Sequence, residues 1–100
     1  MKFHDIDLPE DRLAEFCRAN QIRRLSVYGS ILTDRFGPES DVDLLVEFEP
    51  GARISLLDVA GMEIELTELL GRKVDLRSPK DLSPYVREEV LRQAVVQYVR

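Results

Sequence analysis

Residues 28–46 read YGSILTDRFGPESDVDLLV, and this stretch decides the fold and indicates the chemistry of the chain. Gly29 and Ser30 follow one apolar run, and after ten further residues Asp41 and Asp43 open another. Residues i and i+2 of a strand point to the same face of a sheet, so the two aspartates are predicted to project side by side. A glycine–serine turn next to paired carboxylates suits a triphosphate and the divalent metal that it carries.

On both sides of this stretch, the apolar spacing predicts an alternation of helices and strands. The predicted elements are a helix from Pro9 to Asn20, a strand over 24–28, a short helix over 31–35, a strand over 41–48, a helix capped by Ser55 and ended by Gly71, a strand over 73–77 and a last helix opened by Ser83 and Pro84, with Val86, Val90, Leu91, Ala94 and Tyr98 on its apolar face. This order predicts an α/β (α+β) fold, in which helices pack on a small, mixed, three-stranded sheet.

The composition limits the class of protein. One hundred residues, 44% of them hydrophobic and 33% charged, predict a single globular domain over 1–100. The sequence has neither an apolar signal-peptide core nor a run long enough to span a bilayer, and its one cysteine, Cys17, fits a reducing cytoplasm. The net charge of -5 argues against direct binding of nucleic acid, which needs a basic surface.

A third acid, Asp75, lies on the strand predicted over 73–77. If that strand neighbours the second one, Asp75 joins Asp41 and Asp43. Three such acids can hold two Mg²⁺ ions about 3.5–4 Å apart, the arrangement that clamps the attacking and leaving oxygens of an in-line displacement. Asp75 would then be a ligand of the catalytic metal and help to activate the nucleophile as a base.

The sequence resembles the minimal nucleotidyltransferases of the DNA polymerase beta superfamily. The resemblance is carried by Gly29-Ser30, by Asp41-Val42-Asp43 and by Gly71-Arg72-Lys73-Val74-Asp75-Leu76, and it covers roughly residues 20–98. It implies a polymerase-beta-like nucleotidyltransferase fold and transfer of AMP from ATP to a hydroxyl group. By resemblance, Asp41 and Asp43 bind both metals, Asp75 binds one, and Gly29 and Ser30 contact the triphosphate.

The resemblance also implies a partner and reveals one departure. Many minimal members act as antitoxins of small helical HEPN ribonucleases, some by adenylylating a tyrosine on the toxin, which predicts a hetero-oligomer with a HEPN-type protein. Many members also carry Ala-Arg-Gly soon after the serine, with an arginine that contacts phosphate. Here the corresponding residues are Leu32-Thr33-Asp34, and Arg35 just beyond them is the candidate replacement.

Two other functions remain open on the sequence. The first alternative is a binding module that neutralises its partner by occlusion alone, without catalysis, and the missing Ala-Arg-Gly motivates it. Transfer to a small molecule is the third reading, although the chain lacks a second domain that would build a pocket for it. Template-directed polymerisation ranks below these because the chain is acidic.

Overall fold

The computed structural model describes residues 2–100. Its elements, in chain order, are β1 (Lys2–Phe3), β2 (Ile6–Asp7), α1 (Glu10–Ala19), β3 (Ile22–Tyr28), a 3-10 turn (Gly29–Leu32), β4 (Val42–Phe48), α2 (Leu56–Leu70), β5 (Val74–Arg77), a second 3-10 turn (Pro79–Asp81), α3 (Pro84–Gln93) and β6 (Val95–Val99). Each helix and strand predicted before Pro84 is present within a few residues, except that a 3-10 turn replaces the short helix predicted over 31–35.

The main sheet has the strand order β5-β4-β3-β6. Strand β4 pairs parallel with β5 and antiparallel with β3, and β3 pairs antiparallel with β6. The predicted mixed sheet with helices packed on it is therefore confirmed, but the expected number of three strands is wrong. Strands β1 and β2 form a separate small hairpin that the apolar pattern did not indicate.

The fourth strand comes from residues that the sequence placed in the last helix. Helix α3 ends at Gln93, and Ala94 is extended at φ -59° and ψ 140°. The five residues that follow are rich in valine, which favours strands, and they hydrogen-bond to the edge of β3. Val95 and Tyr98 then pack against the core. Sheet pairing therefore outweighs the helical spacing that had suggested a longer α3.

The core fills one face of the sheet. Along β4, Val42, Leu44 and Val46 are buried in the main apolar cluster, as the alternation predicted. The remaining buried members of that cluster are Ile6, Leu8, Leu13, Phe16, Cys17, Ile22, Leu25, Val27, Ile31, Met62, Leu66, Leu70, Val74 and Leu76. Because the core takes the side chains of one parity, the side chains of the other parity, including Asp43, are left on the opposite face.

Helix α2 fixes the edge strand β5. A capping box between Ser55 and Asp58 starts the helix, and Gly71 ends it at φ 72°, both as predicted. Near its end, Thr67 accepts a hydrogen bond from the backbone N–H of Val74 at 3.1 Å. Glu63 accepts one from the N–H of Leu76 at 2.7 Å. These bonds hold the backbone on either side of residue 75. No helix within residues 2–100 is long and apolar enough to cross a membrane.

Candidate active site

Three neighbouring strands bring polar side chains together at one end of the sheet. In the parallel pair, Asp43 of β4 lies directly beside Asp75 of β5. In the antiparallel pair, Tyr28 at the end of β3 is the partner of Asp43. Asp41 immediately precedes β4. The structure thus places the third acid on the strand next to the Asp-x-Asp pair, and it adds Tyr28, to which the sequence analysis assigned no role.

Gly29 lies so close to Asp43 that a side chain at this position would displace the Asp43 carboxylate. It follows Tyr28 with a φ of +80°, a conformation that residues with a Cβ rarely adopt. A Cβ at this position would lie 2.4 Å from Oδ2 of Asp43. Both the backbone conformation and the carboxylate beside it therefore favour glycine at this position. The turn and the acids form one site.

The acids influence one another electrostatically. The pKa of Asp43 is raised above its ordinary value, first because burial disfavours the charged carboxylate and then because Asp75 and Asp41 repel its charge. The positive charge of Arg77 opposes this rise. A cluster in which negative charges destabilise one another favours a bound cation, since a cation removes the repulsion.

Arg77 is the cation already present at this site. Its Nε lies 3.3 Å from Oδ2 of Asp75 and 3.4 Å from Oδ1, so the guanidinium is close to both carboxylate oxygens. The Arg77 side chain is 50% exposed and that of Asp75 is 32% exposed. Residues 75 and 77 share a face because they are two apart on β5, and that spacing was the available signal for a residue that the sequence interpretation missed.

Tyr28 contributes a phenol that stays protonated. Burial, followed by the charge of Asp43, raises the pKa of this hydroxyl to about 12. The charges of Asp75 and Asp81 also raise this pKa, whereas the charge of Arg77 lowers it. At neutral pH Tyr28 therefore offers a neutral hydrogen-bond donor next to the acids. Tyr28 lies opposite Asp43 in the pairing of β3 with β4, so the sequence could identify it only once that register was known.

The donor chemistry of the acids fits Mg²⁺, which prefers carboxylate oxygens. In their present positions, however, no group of three His, Cys, Asp or Glu side chains in the described chain is arranged to hold a metal ion. Two electrostatic interactions act on these carboxylates. Asp43 is repelled by the other two acids, and Asp75 is drawn to Arg77. The register of β4 with β5 places Asp43 and Asp75 where they can share a cation, but the carboxylate of Asp75 is paired with Arg77.

The two candidate phosphate contacts after Gly29 differ in their surroundings. Ser30 lies in the 3-10 turn and is half-buried, and its backbone carbonyl accepts hydrogen bonds from the N–H and the hydroxyl of Thr33 at 2.9 and 2.8 Å. Arg35 is exposed, and its backbone N–H donates to Oγ1 of Thr33 at 3.2 Å. The structure brings Ser30 into the turn beside the acids and leaves the Arg35 side chain in the loop that follows.

A stack of three side chains holds that loop. His4 stacks on Phe36 with ring centroids 5.0 Å apart, and the Arg72 guanidinium lies 4.7 Å from the centroid of the Phe36 ring. Arg72 also donates hydrogen bonds to the carbonyls of Gly37 and Ser40 at 2.8 and 2.6 Å. Arg72 therefore secures the segment that connects the glycine turn to Asp41.

The chain is similar in sequence to known nucleotidyltransferases. The family model described as "Nucleotidyltransferase domain" matches residues 10–96. A protein of Methanocaldococcus jannaschii, provisionally named a protein adenylyltransferase, is 36% identical over 74 residues, which are 74% of this chain and 77% of that protein. Protein adenylyltransferase MntA of Thermococcus cleftensis is 38% identical over 74 residues, which are 74% of this chain and 73% of the relative.

Solved structures share the fold. A structure provisionally described as a minimal nucleotidyltransferase has a TM-score of 0.71 and 38% identity, and the match covers 86% of each chain. A toxin–antitoxin structure with AMP-PNP has a TM-score of 0.73 at 19% identity and covers 93% of this chain and 75% of that one. A tri-AMPylated Shewanella oneidensis HEPN toxin in complex with an MNT antitoxin gives 0.63 at 17% identity, covering 91% and 70%.

Proposed function

We propose that this chain, which belongs to the nucleotidyltransferase domain family, transfers AMP from ATP to a hydroxyl group of a partner protein and thereby acts as an antitoxin. The observation that carries the proposal is the in-register placement of Asp43 beside Asp75, with Asp41 and the Gly29 turn next to them. The names of the two relatives at 36% and 38% identity support protein adenylylation.

In the proposed reaction, the hydroxyl oxygen of the acceptor forms a bond to the α-phosphorus of ATP, the bond from that phosphorus to the bridging oxygen breaks, and pyrophosphate leaves. Asp41 and Asp43 would hold both metal ions and Asp75 one of them. Bound Mg²⁺ supplies neutralisation of the triphosphate charge and polarises the reacting phosphate. Asp75 accepts the hydroxyl proton as general base, and the Tyr28 hydroxyl donates a hydrogen bond within the same site.

The triphosphate is proposed to lie against the glycine turn. Gly29 allows the backbone to come close to phosphate, and the N–H groups and hydroxyl at Ser30 supply donors. Arg35 is the proposed loop contact, since a guanidinium pairs well with phosphate oxygens. Arg72, which fixes the loop carrying Arg35, would set the position of this contact.

The proposed acceptor is a tyrosine of a HEPN-type toxin, bound in a hetero-oligomer in the cytoplasm, where ATP is available. Two structural neighbours with 19% and 17% identity are a toxin–antitoxin with AMP-PNP and an MNT antitoxin in complex with an AMPylated HEPN toxin. These complexes are the kind of assembly proposed here.

The test uses the purified protein, α-labelled ATP, Mg²⁺ and a HEPN-type protein as the candidate acceptor. The expected result is a labelled HEPN protein whose mass increases by whole AMP units, with the site mapped by peptide mass spectrometry to tyrosine. Asp41→Asn/Asp43→Asn should abolish labelling, whereas Asp11→Asn, an exposed acid of α1 outside the site, should label normally. An unlabelled partner that is nonetheless neutralised equally by the wild type and the double variant would instead establish occlusion.

A further inference from the structure

The guanidinium of Arg77 forms an ion pair with Asp75, one of the three acids of the proposed metal site. Its Nε is 3.3 Å from Oδ2 of Asp75, and the sheet places Asp75 directly beside Asp43. Arg77 also lowers the pKa of Asp43, so its charge reaches the second acid. In the described residues no three acidic, histidine or cysteine side chains stand ready for a metal ion. Arg77 and a bound metal ion would therefore compete for the carboxylate of Asp75.

The ion pair between Arg77 and Asp75 is suited to being exchanged. Half of the Arg77 side chain and a third of the Asp75 side chain are exposed, and exposed pairs of this kind are weak because water screens them. The backbone of β5 does not depend on the pair, since Glu63 and Thr67 hold Leu76 and Val74. Asp75 can thus exchange Arg77 for another cation without disturbing the strand.

We propose that Arg77 is a displaceable counter-ion: it holds Asp75 in the nucleotide-free protein and passes to the triphosphate when nucleotide and metal arrive. This inference rests on the proposed function and deepens it. A guanidinium released from a carboxylate can bind phosphate oxygens through two parallel hydrogen bonds. The exchange keeps every charge partnered, because Asp75 gains the metal as Arg77 gains the phosphate. Arg77 acts on the metal through Asp75 and is a positioning residue in that step.

The exchange predicts opposite effects on two affinities. Without nucleotide, Arg77→Gln should bind Mn²⁺ about two- to fivefold more tightly than the wild type, because the competing ion pair is gone. With Mn²⁺ present, the same variant should bind the non-transferable analogue α,β-methylene-ATP about tenfold more weakly, because a charge-assisted hydrogen bond to phosphate is lost. A purely structural role would not shift the two affinities in opposite directions.

Three further variants sharpen the comparison. Arg24→Gln removes a guanidinium of similar exposure from a 3.6 Å ion pair with Glu47, which lies in the same sheet but away from the acids. Both affinities of this control variant should stay at wild-type values. Arg77→Lys keeps the charge and should restore most of the competition with Mn²⁺. Arg35→Ala should weaken nucleotide binding and leave the affinity for Mn²⁺ alone unchanged, because Arg35 is not paired with an acid of the site.

Calorimetric titration of purified protein with Mn²⁺ and with the analogue gives both affinities, and thermal unfolding verifies that each variant is folded. In an Asp75→Asn background, Arg77→Gln should no longer change the affinity for Mn²⁺, because its partner is absent. The counter-ion role is overturned if Arg77→Gln leaves Mn²⁺ binding unchanged or weakens it while the wild type binds the analogue normally. A wild-type protein that binds no nucleotide would overturn the proposed function and this inference together.

Discussion

Replacing Gly29 with alanine tests whether the glycine turn and the acids form one site. The φ of +80° costs a residue with a Cβ about 1–2 kcal/mol. The new Cβ would also lie 2.4 Å from Oδ2 of Asp43, so that carboxylate has to turn away at a cost of about 1 kcal/mol. Because about 1 kcal/mol shifts the melting temperature of a domain this small by roughly 4–8 °C, we expect a decrease of roughly 10 °C or more.

Gly51→Ala is the matched control. Gly51 has a φ of +85°, but no atom lies within 4 Å of the position of its Cβ. It should show the backbone cost alone and keep wild-type affinity for Mn²⁺ and nucleotide. Thermal unfolding without metal, followed by Mn²⁺ titration, separates the two effects. If Gly29→Ala has the same melting temperature as Gly51→Ala and the same affinity for Mn²⁺ as the wild type, the close approach of the turn to Asp43 contributes neither to stability nor to metal binding.

Three other perturbations follow from the structure. The raised pKa of Asp43 means that its neutral form favours folding, so this contribution to stability is present below the ordinary value of 3.8 and is lost as the pH rises through the raised folded value. Asp43→Asn should therefore unfold at a higher temperature than the metal-free wild type at neutral pH while losing metal-dependent nucleotide binding; a lower melting temperature would contradict the repulsion. Burial raises the pKa of Cys17 to about 12, so this thiol should resist iodoacetamide until the protein is denatured, and rapid labelling of the native state would refute its burial. Arg72→Ala removes charge-assisted hydrogen bonds to Gly37 and Ser40 and should destabilise the protein by about 1–3 kcal/mol, with faster hydrogen exchange at residues 33–40; unchanged exchange there would show that the stack does not hold the loop.

Much of the site was accessible from the sequence because strand alternation is a local property. The burial of Val42 and Leu44, with Asp43 between them on the other face, follows from it directly. Predicting that Asp75 lies beside Asp43 required one non-local fact, the pairing of β5 with β4, which the sequence analysis stated only as a condition. The helix cap at Ser55 was also readable, because its hydrogen bonds are made within one turn.

Two features could not be derived in this way. The spacing of Val90, Ala94 and Tyr98 is compatible with a helix, and only the free edge of β3 decides that Val95–Val99 form a strand. The pairing of Arg77 with Asp75 depends on side-chain conformations and on the charges of neighbouring strands, which no one-dimensional pattern contains. Both outcomes were decided by contacts that exist only after the sheet has formed.

The ladder between β4 and β5 also bears on how the family can diverge. The separation of Asp43 from Asp75 is set by backbone pairing, at the strand spacing of about 4.8 Å, rather than by the segment that joins the two strands. Insertions or deletions in the turn after Phe48 can therefore accumulate without moving the two carboxylates apart. The length of that turn can thus vary among related chains while the pairing of β4 with β5 keeps the backbone of residue 43 beside that of residue 75.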